Sequence, residues 1–146
     1  MSGSTHLNLD RLAARHAQAI IRRIVDEEET QKEMPLDKKK SKKQLAVDAD
    51  NTITKALGVL QENGVYACFL YLLAKEKENG PIVIQEMLNL LDELGFGWGK
   101  PENDSPERVL EHIGEKVTVD LERLLLAKET LEQMLIYARY GAKARG

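Results

Sequence analysis

The chain has 146 residues, 42% of them apolar and 31% charged, with a net charge of −3 and a single cysteine, Cys68. That length suits one globular domain, the composition is not that of a disordered segment, and a lone cysteine excludes a disulfide framework within the chain. The charge is uneven: residues 1–45 carry ten Lys/Arg against seven Asp/Glu, residues 46–136 eight against seventeen, and residues 137–146 three against none, which excludes nucleic-acid binding by bulk charge and confines any such contact to the two ends.

The opening stretch, Met1 to Asp10, has neither a basic start nor an apolar run and does not read as a signal peptide. A first helix is expected from about Leu9 to Glu28. Leu9, Leu12, Ala13, Ala17, Ile20, Ile24 and Val25 recur at three- and four-residue steps, and Asn8 can cap it. Residues 29–43 read as a lysine-rich linker. They hold Pro35 and then Lys38, Lys39, Lys40, Lys42 and Lys43, like charges that repel one another and stay solvated.

A second helix is expected from about Lys43 to Asn63, with Leu45, Ala49, Ile53, Ala56, Leu57 and Leu60 on its apolar face and Asn63–Gly64 as its stop. The third, about Val65 to Asn79, is apolar almost all round and is expected to be the central, most buried helix. Its apolar run is too short to cross a bilayer, which points to a cytoplasmic protein with no membrane partner. Gly80–Pro81 ends it, and Pro81 can sit in the first turn of a fourth helix carrying Ile84, Met87, Leu88, Leu91 and Leu94.

A glycine-rich loop follows, then Ser105–Pro106–Glu107 starts a short fifth helix ending near Lys116. Thr118 is the expected cap of a sixth, about Val119 to Ala144, whose buried stripe is Leu121, Leu124, Leu125, Leu131, Leu135, Ala138 and Ala142. The fold class is therefore all-α, a single-domain bundle of five to six helices spanning 1–146.

No catalytic constellation is present. Gly95-Phe96-Gly97-Trp98-Gly99 follows a helix rather than a strand and lacks the phosphate-loop pattern, so it reads as a flexible turn pinned by its aromatics. His6, His16 and His112 have no metal-ligand spacing, and His16 reads as a half-buried structural residue on the flank of helix one. Cys68 reads as an inert packing thiol and Glu27–Glu29 as a solvated helix end. No catalytic residue, metal or cofactor is expected.

The basic features carry more. Arg11, Arg15 and Arg22 stand at i, i+4 and i+11, within about 40° of one another around a helix and opposite its apolar face. Gln18 completes the stripe, and no acid interrupts it before Asp26. Such a row can track a phosphate backbone or dock an acidic partner, and it can also be an ordinary solvated face. Tyr137, Arg139, Tyr140, Lys143 and Arg145 form a second cluster in which tyrosines could stack on bases while the cations meet phosphates. Arg11, Arg15, Arg22, Arg139 and Lys143 are the candidate nucleic-acid-binding residues.

Three segments resemble the small helical subunit of Cmr-type (type III-B) CRISPR RNA-silencing complexes. They are the run from Arg11 to Arg22; the Asn63-Gly64-Val65 turn followed by the apolar helix to Lys75; and Ala127 to Lys143 in the last helix. Val65 stands where that family often has Leu, and Tyr137 where Trp is common. The resemblance implies a non-catalytic subunit. Its partners would be the backbone and large polymerase-like subunits, copies of itself, and the guide RNA and target RNA through their phosphates. The other reading of the same residues is a helical adaptor that binds protein only.

Overall fold

The computed structural model describes residues 8–146. The reading of Met1–Asp10 as no signal peptide rests mainly on residues outside that range, and His6 lies outside it too. Six α-helices follow one another: α1 (Leu9–Ile21), α2 (Lys42–Asn63), α3 (Val65–Lys75), α4 (Gly80–Glu93), α5 (Pro106–His112) and α6 (Leu121–Arg145). There is no strand among the described residues. The architecture is the expected all-α bundle.

Helix α1 is capped by Asn8, whose side chain accepts from the Arg11 N–H, and it continues through a π-helical turn, Arg22–Asp26. The wider i to i+5 winding narrows the angle between consecutive side chains, and Ile24 and Val25 are both buried there. A second π-turn, Ile113–Val117, extends α5 in the same way.

Helix α1 lies between α4 and α6, and α6 lies between α1 and α2. Ion pairs fix the directions. Asp26 meets Arg145 beyond the Ile21–Gly141 approach, so α1 and α6 run the same way, while His16 and Arg23 meet Glu93 and Glu86 in reverse order, so α1 and α4 are antiparallel. Gly64, at φ 97°, turns α2 into α3 in a conformation that L side chains rarely adopt. Gly80 is required by space instead, since a Cβ there would lie 2.9 Å from the Leu72 carbonyl oxygen.

Three expectations are corrected. Helix α3 is not the central helix: it buries Val65, Cys68, Phe69 and Leu72 but leaves Leu70 46% and Tyr66 42% exposed, because α2, α4 and α5 cover only part of its surface. The most enclosed helix is α4, where Ile82, Val83, Ile84, Met87, Leu88, Leu90 and Leu91 are all buried against α1, α3 and α6. Thr118 does not cap α6. Its hydroxyl donates to the Gly114 carbonyl, and Asp120 is the cap, accepting from the Arg123 N–H at 3.2 Å. Finally, the stripe of α6 is not buried from its start: Leu121 is 67% and Leu125 54% exposed, Leu124 is half-buried against the core, and full burial begins at Ala127.

Of the expected 29–43 linker, residues 29–41 are a tethered loop with two single turns of 3-10 helix, Glu29–Gln31 and Leu36–Lys38, and Lys42 and Lys43 already belong to α2. Gln31 is buried, and its amide donates to the Lys40 carbonyl at 3.0 Å and accepts from the Lys40 N–H at 2.9 Å. Lys40 in turn binds Asp48 and Glu78, and Lys42 Nζ donates to the Asp26 carbonyl at 3.4 Å, so two of the five lysines are held rather than simply solvated.

The cap assignment is testable. Asp120→Ala is expected to cost about 1 kcal/mol by denaturant unfolding, the usual value of an N-cap oxygen. Thr118→Ala is expected to cost less, because the Thr118 hydroxyl returns to a carbonyl four residues back and satisfies no helix N–H.

Candidate nucleic-acid interface

The α1 stripe exists as a surface. Leu12, Ala13, Ala17, Ile20 and Ile21 turn inward, which leaves Arg11, Arg15, Gln18 and Arg22 exposed. Along the helix no acid breaks the row, but in space two acids reach it. The Arg15 guanidinium pairs with Glu93 at the end of α4, and the Arg22 Nε donates to Glu27 at 3.1 Å. Arg11 has no carboxylate partner among the described residues.

The second cluster sits at the end of α6. Lys143 Nζ lies 3.1 Å and Arg139 Nε 3.8 Å from the carboxylate of Asp50 on α2. Arg145 grips Asp26 with its two terminal guanidinium nitrogens, and that hydrogen bonding holds the Asp26 carboxyl below its usual range. Tyr137 donates its hydroxyl to Asp10, which pushes the phenol pKa up, and Tyr140 is 63% exposed.

The two sets do not converge on one patch. A groove of about 480 Å³ runs between α1 and α6, floored by Ala14, Ala17, Ile21 and Gly141 and rimmed by Gln18, Tyr137 and Arg145. The arginine row lies on the α1 side of it, whereas Arg139 and Lys143 turn away to α2. Small residues set the groove's depth: a Cβ on Gly141 would come 3.3 Å from Ile21.

Beneath the stripe lies a polar cluster that local pattern does not announce. His16 is buried, not half-buried, with Nδ1 2.9 Å from Glu86 and Nε2 2.6 Å from Glu93. Arg23 bridges Glu86 and Glu29 at 3.0 Å each and donates to Gln85. Burial pushes the Glu86 pKa up, but hydrogen bonds from His16, Asn89 and Arg23 outweigh it and hold the carboxyl below its usual range. Glu29 is thus part of a network rather than a purely solvated helix end. The contacts that join α1 to α4 link residues more than 60 apart in sequence, so spacing could not reveal them.

The other singled-out features are structural. Phe96 and Trp98 meet edge to face at 4.9 Å, Arg123 lies over the Phe96 ring at 5.2 Å, and Trp98 is buried, so the glycine loop is pinned as expected. Burial pushes the Cys68 thiol up to about 12, and the sulfur donates to the Ala56 carbonyl. Burial and then Lys116 push the His112 pKa down. Among the described residues no group of three His, Cys, Asp or Glu could hold a metal ion, and no helix is long and apolar enough to cross a membrane.

No family model, curated protein or solved structure matches the chain.

Proposed function

We propose that this chain is a cytoplasmic, non-catalytic small subunit of a Cmr-type RNA-guided silencing complex. It would pack beside the backbone subunits and touch the guide–target duplex through phosphates. The observation that carries the reading is the exposed arginine row Arg11, Arg15 and Arg22, set on a rigid helix that also bears the sequence resemblance. Their ion pairs do not forbid phosphate contact. Exposed pairs are worth about 0–1 kcal/mol, so exchanging Glu93 or Glu27 for a phosphate costs little. Guanidinium groups suit such exchange because they meet carboxylate and phosphate with the same planar fork.

A second reading, a protein-only adaptor, draws on different observations. Asp50 already engages Arg139 and Lys143, and Val119, Leu121 and Leu125 form an exposed apolar stretch at the start of α6. In that case the arginines meet acidic side chains of a partner.

The triple change Arg11→Ala, Arg15→Ala, Arg22→Ala separates the two. Folding is expected to survive, since all three side chains are exposed. In the assembled complex, target-RNA binding should weaken equally across sequences, because phosphate contacts position without reading bases. The log–log salt slope should fall by roughly 0.7–0.9 for each contact removed. Normal assembly with an unchanged salt slope would assign the row to protein docking or to solvent. A purified wild-type chain that cut RNA, and lost that activity on a single carboxylate change, would overturn the non-catalytic reading.

A further inference from the structure

Between α4 and α5 the chain crosses the bundle as a strap without helix, residues 94–105. Its middle residue, Trp98, is the chain's one tryptophan and is 8% exposed. Gly97 and Gly99, at φ 74° and 66°, flank the indole and turn it inward. Phe96 meets it edge to face, and Arg123 of α6 covers Phe96. The strap is thus held by a few contacts around one buried ring.

His112, the last residue of α5, holds the strap at Gly99. The ring is 8% exposed, and a hydrogen bond joins it to the Gly99 carbonyl. Nε2 is buried and has no hydrogen-bond partner, so the other ring nitrogen makes that bond. In the neutral ring Nε2 is then a lone pair, a mild mismatch. Protonation turns it into a charged, buried N–H with no acceptor, which is far costlier. The surrounding charges do not remove that cost. Burial and Lys116 oppose the charged ring, and Asp92 of α4, Glu115 and the Gly99 bond favour it without outweighing them. Helix α3, which also packs on α5, has no charge before Lys75, and Arg123 is turned to Phe96.

We propose that His112 is an acid-sensitive latch on this strap: the neutral ring holds Gly99 and keeps Trp98 buried, and the protonated ring moves out to water and releases both. The sign follows from linkage. The closed form binds the proton less readily than an open, solvated histidine. Closure is therefore complete above the ordinary histidine value of about 6.5 and weakens as pH falls below it, until the lowered closed-state value is passed. Each pH unit between the two values lowers the closed-to-open ratio by about tenfold. The latch is separate from the arginine row and does not depend on the RNA reading.

Trp98 reports on it directly. Emission, acrylamide quenching and far-ultraviolet circular dichroism are followed from about pH 7.5 to about pH 5, the histidine range. The expected result is a red shift of the emission and a rise of at least about twofold in quenching, with a midpoint below about 6.5 and unchanged helix content. His112→Gln keeps an N–H donor but cannot titrate, and its emission should stay constant. Flat emission in the wild-type protein overturns the latch. So does a red shift that persists in His112→Gln, or one that accompanies loss of helix. If that variant fails to fold, the assigned His112 ring resonances of the wild-type protein decide. Their titration midpoint must coincide with that of the Trp98 emission, and a different midpoint overturns the proposal.

Discussion

Phe69→Ala is expected to lower the unfolding free energy by about 3–5 kcal/mol, the range for removing a buried aromatic ring and leaving a cavity. Phe69 has no exposed surface and belongs to the one continuous cluster of buried side chains that joins all six helices. For a domain of this size the loss should bring the melting temperature down by roughly 10 °C. Leu72→Ala, on the same inner face, is expected to cost about 2–5 kcal/mol. The corrected position of α3 adds an internal control. Leu70 is one residue from Phe69 and 46% exposed, so Leu70→Ala should cost well under half as much. Equal losses at 69 and 70 in denaturant unfolding would mean that α3 is enclosed on all sides after all, as its composition alone suggests.

That contrast shows what the sequence could and could not convey. Helix positions were legible because caps and period are local: Asn8, Gly64 and Ser105–Pro106 each mark an end within a residue or two of where the chain turns. Burial was not, because it depends on what lies opposite. Leu121 and Leu125 belong to the same leucine-rich run as Leu131 and Leu135, but Leu125 stands about 120° round the helix from Leu131 and faces outward, while Leu124 between them packs half-buried on the core. In α3 the apolar residues run all round, and an 11-residue helix at the edge of the bundle still has an outer face. The candidate interface was half legible for the same reason. Periodicity alone was enough to put Arg11, Arg15 and Arg22 on one face. Their neighbour Glu93 and the Asp50 that holds Arg139 and Lys143 come from remote parts of the chain. The hydrogen-bonded trio Thr52, Glu76 and Asn79 was invisible, since these residues meet only when α2 packs against the ends of α3 and α4.

Glu86→Ala is expected to be at least as damaging as the core truncations. Glu86 is only 6% exposed and binds two cationic or potentially cationic partners, His16 at 2.9 Å and Arg23 at 3.0 Å. Removing one member of a buried pair strands the other, a loss of about 3–5 kcal/mol. Truncating the exposed Glu27 of the Arg22 pair should cost no more than about 1 kcal/mol. The pH dependence supplies an independent check. Hydrogen bonds hold the folded Glu86 carboxyl below its unfolded value, so its contribution is complete above the unfolded carboxylate range and disappears as pH falls through the folded pKa. The near-isosteric Glu86→Gln removes the charge and should lose stability at neutral pH. Its deficit relative to the wild-type protein should begin to shrink as pH falls below the unfolded carboxylate value, about 4.3, and should close as pH falls through the lowered folded pKa. A deficit that stays constant from neutral pH to pH 3 would mean that Glu86 acts through packing alone and that its charge does not clasp α1 to α4. The double change Glu86→Leu, Arg23→Met tests the same clasp from the other side. With both partners replaced by apolar groups, much of the single-variant loss should return, because the cost lies in the stranded guanidinium rather than in the missing bond.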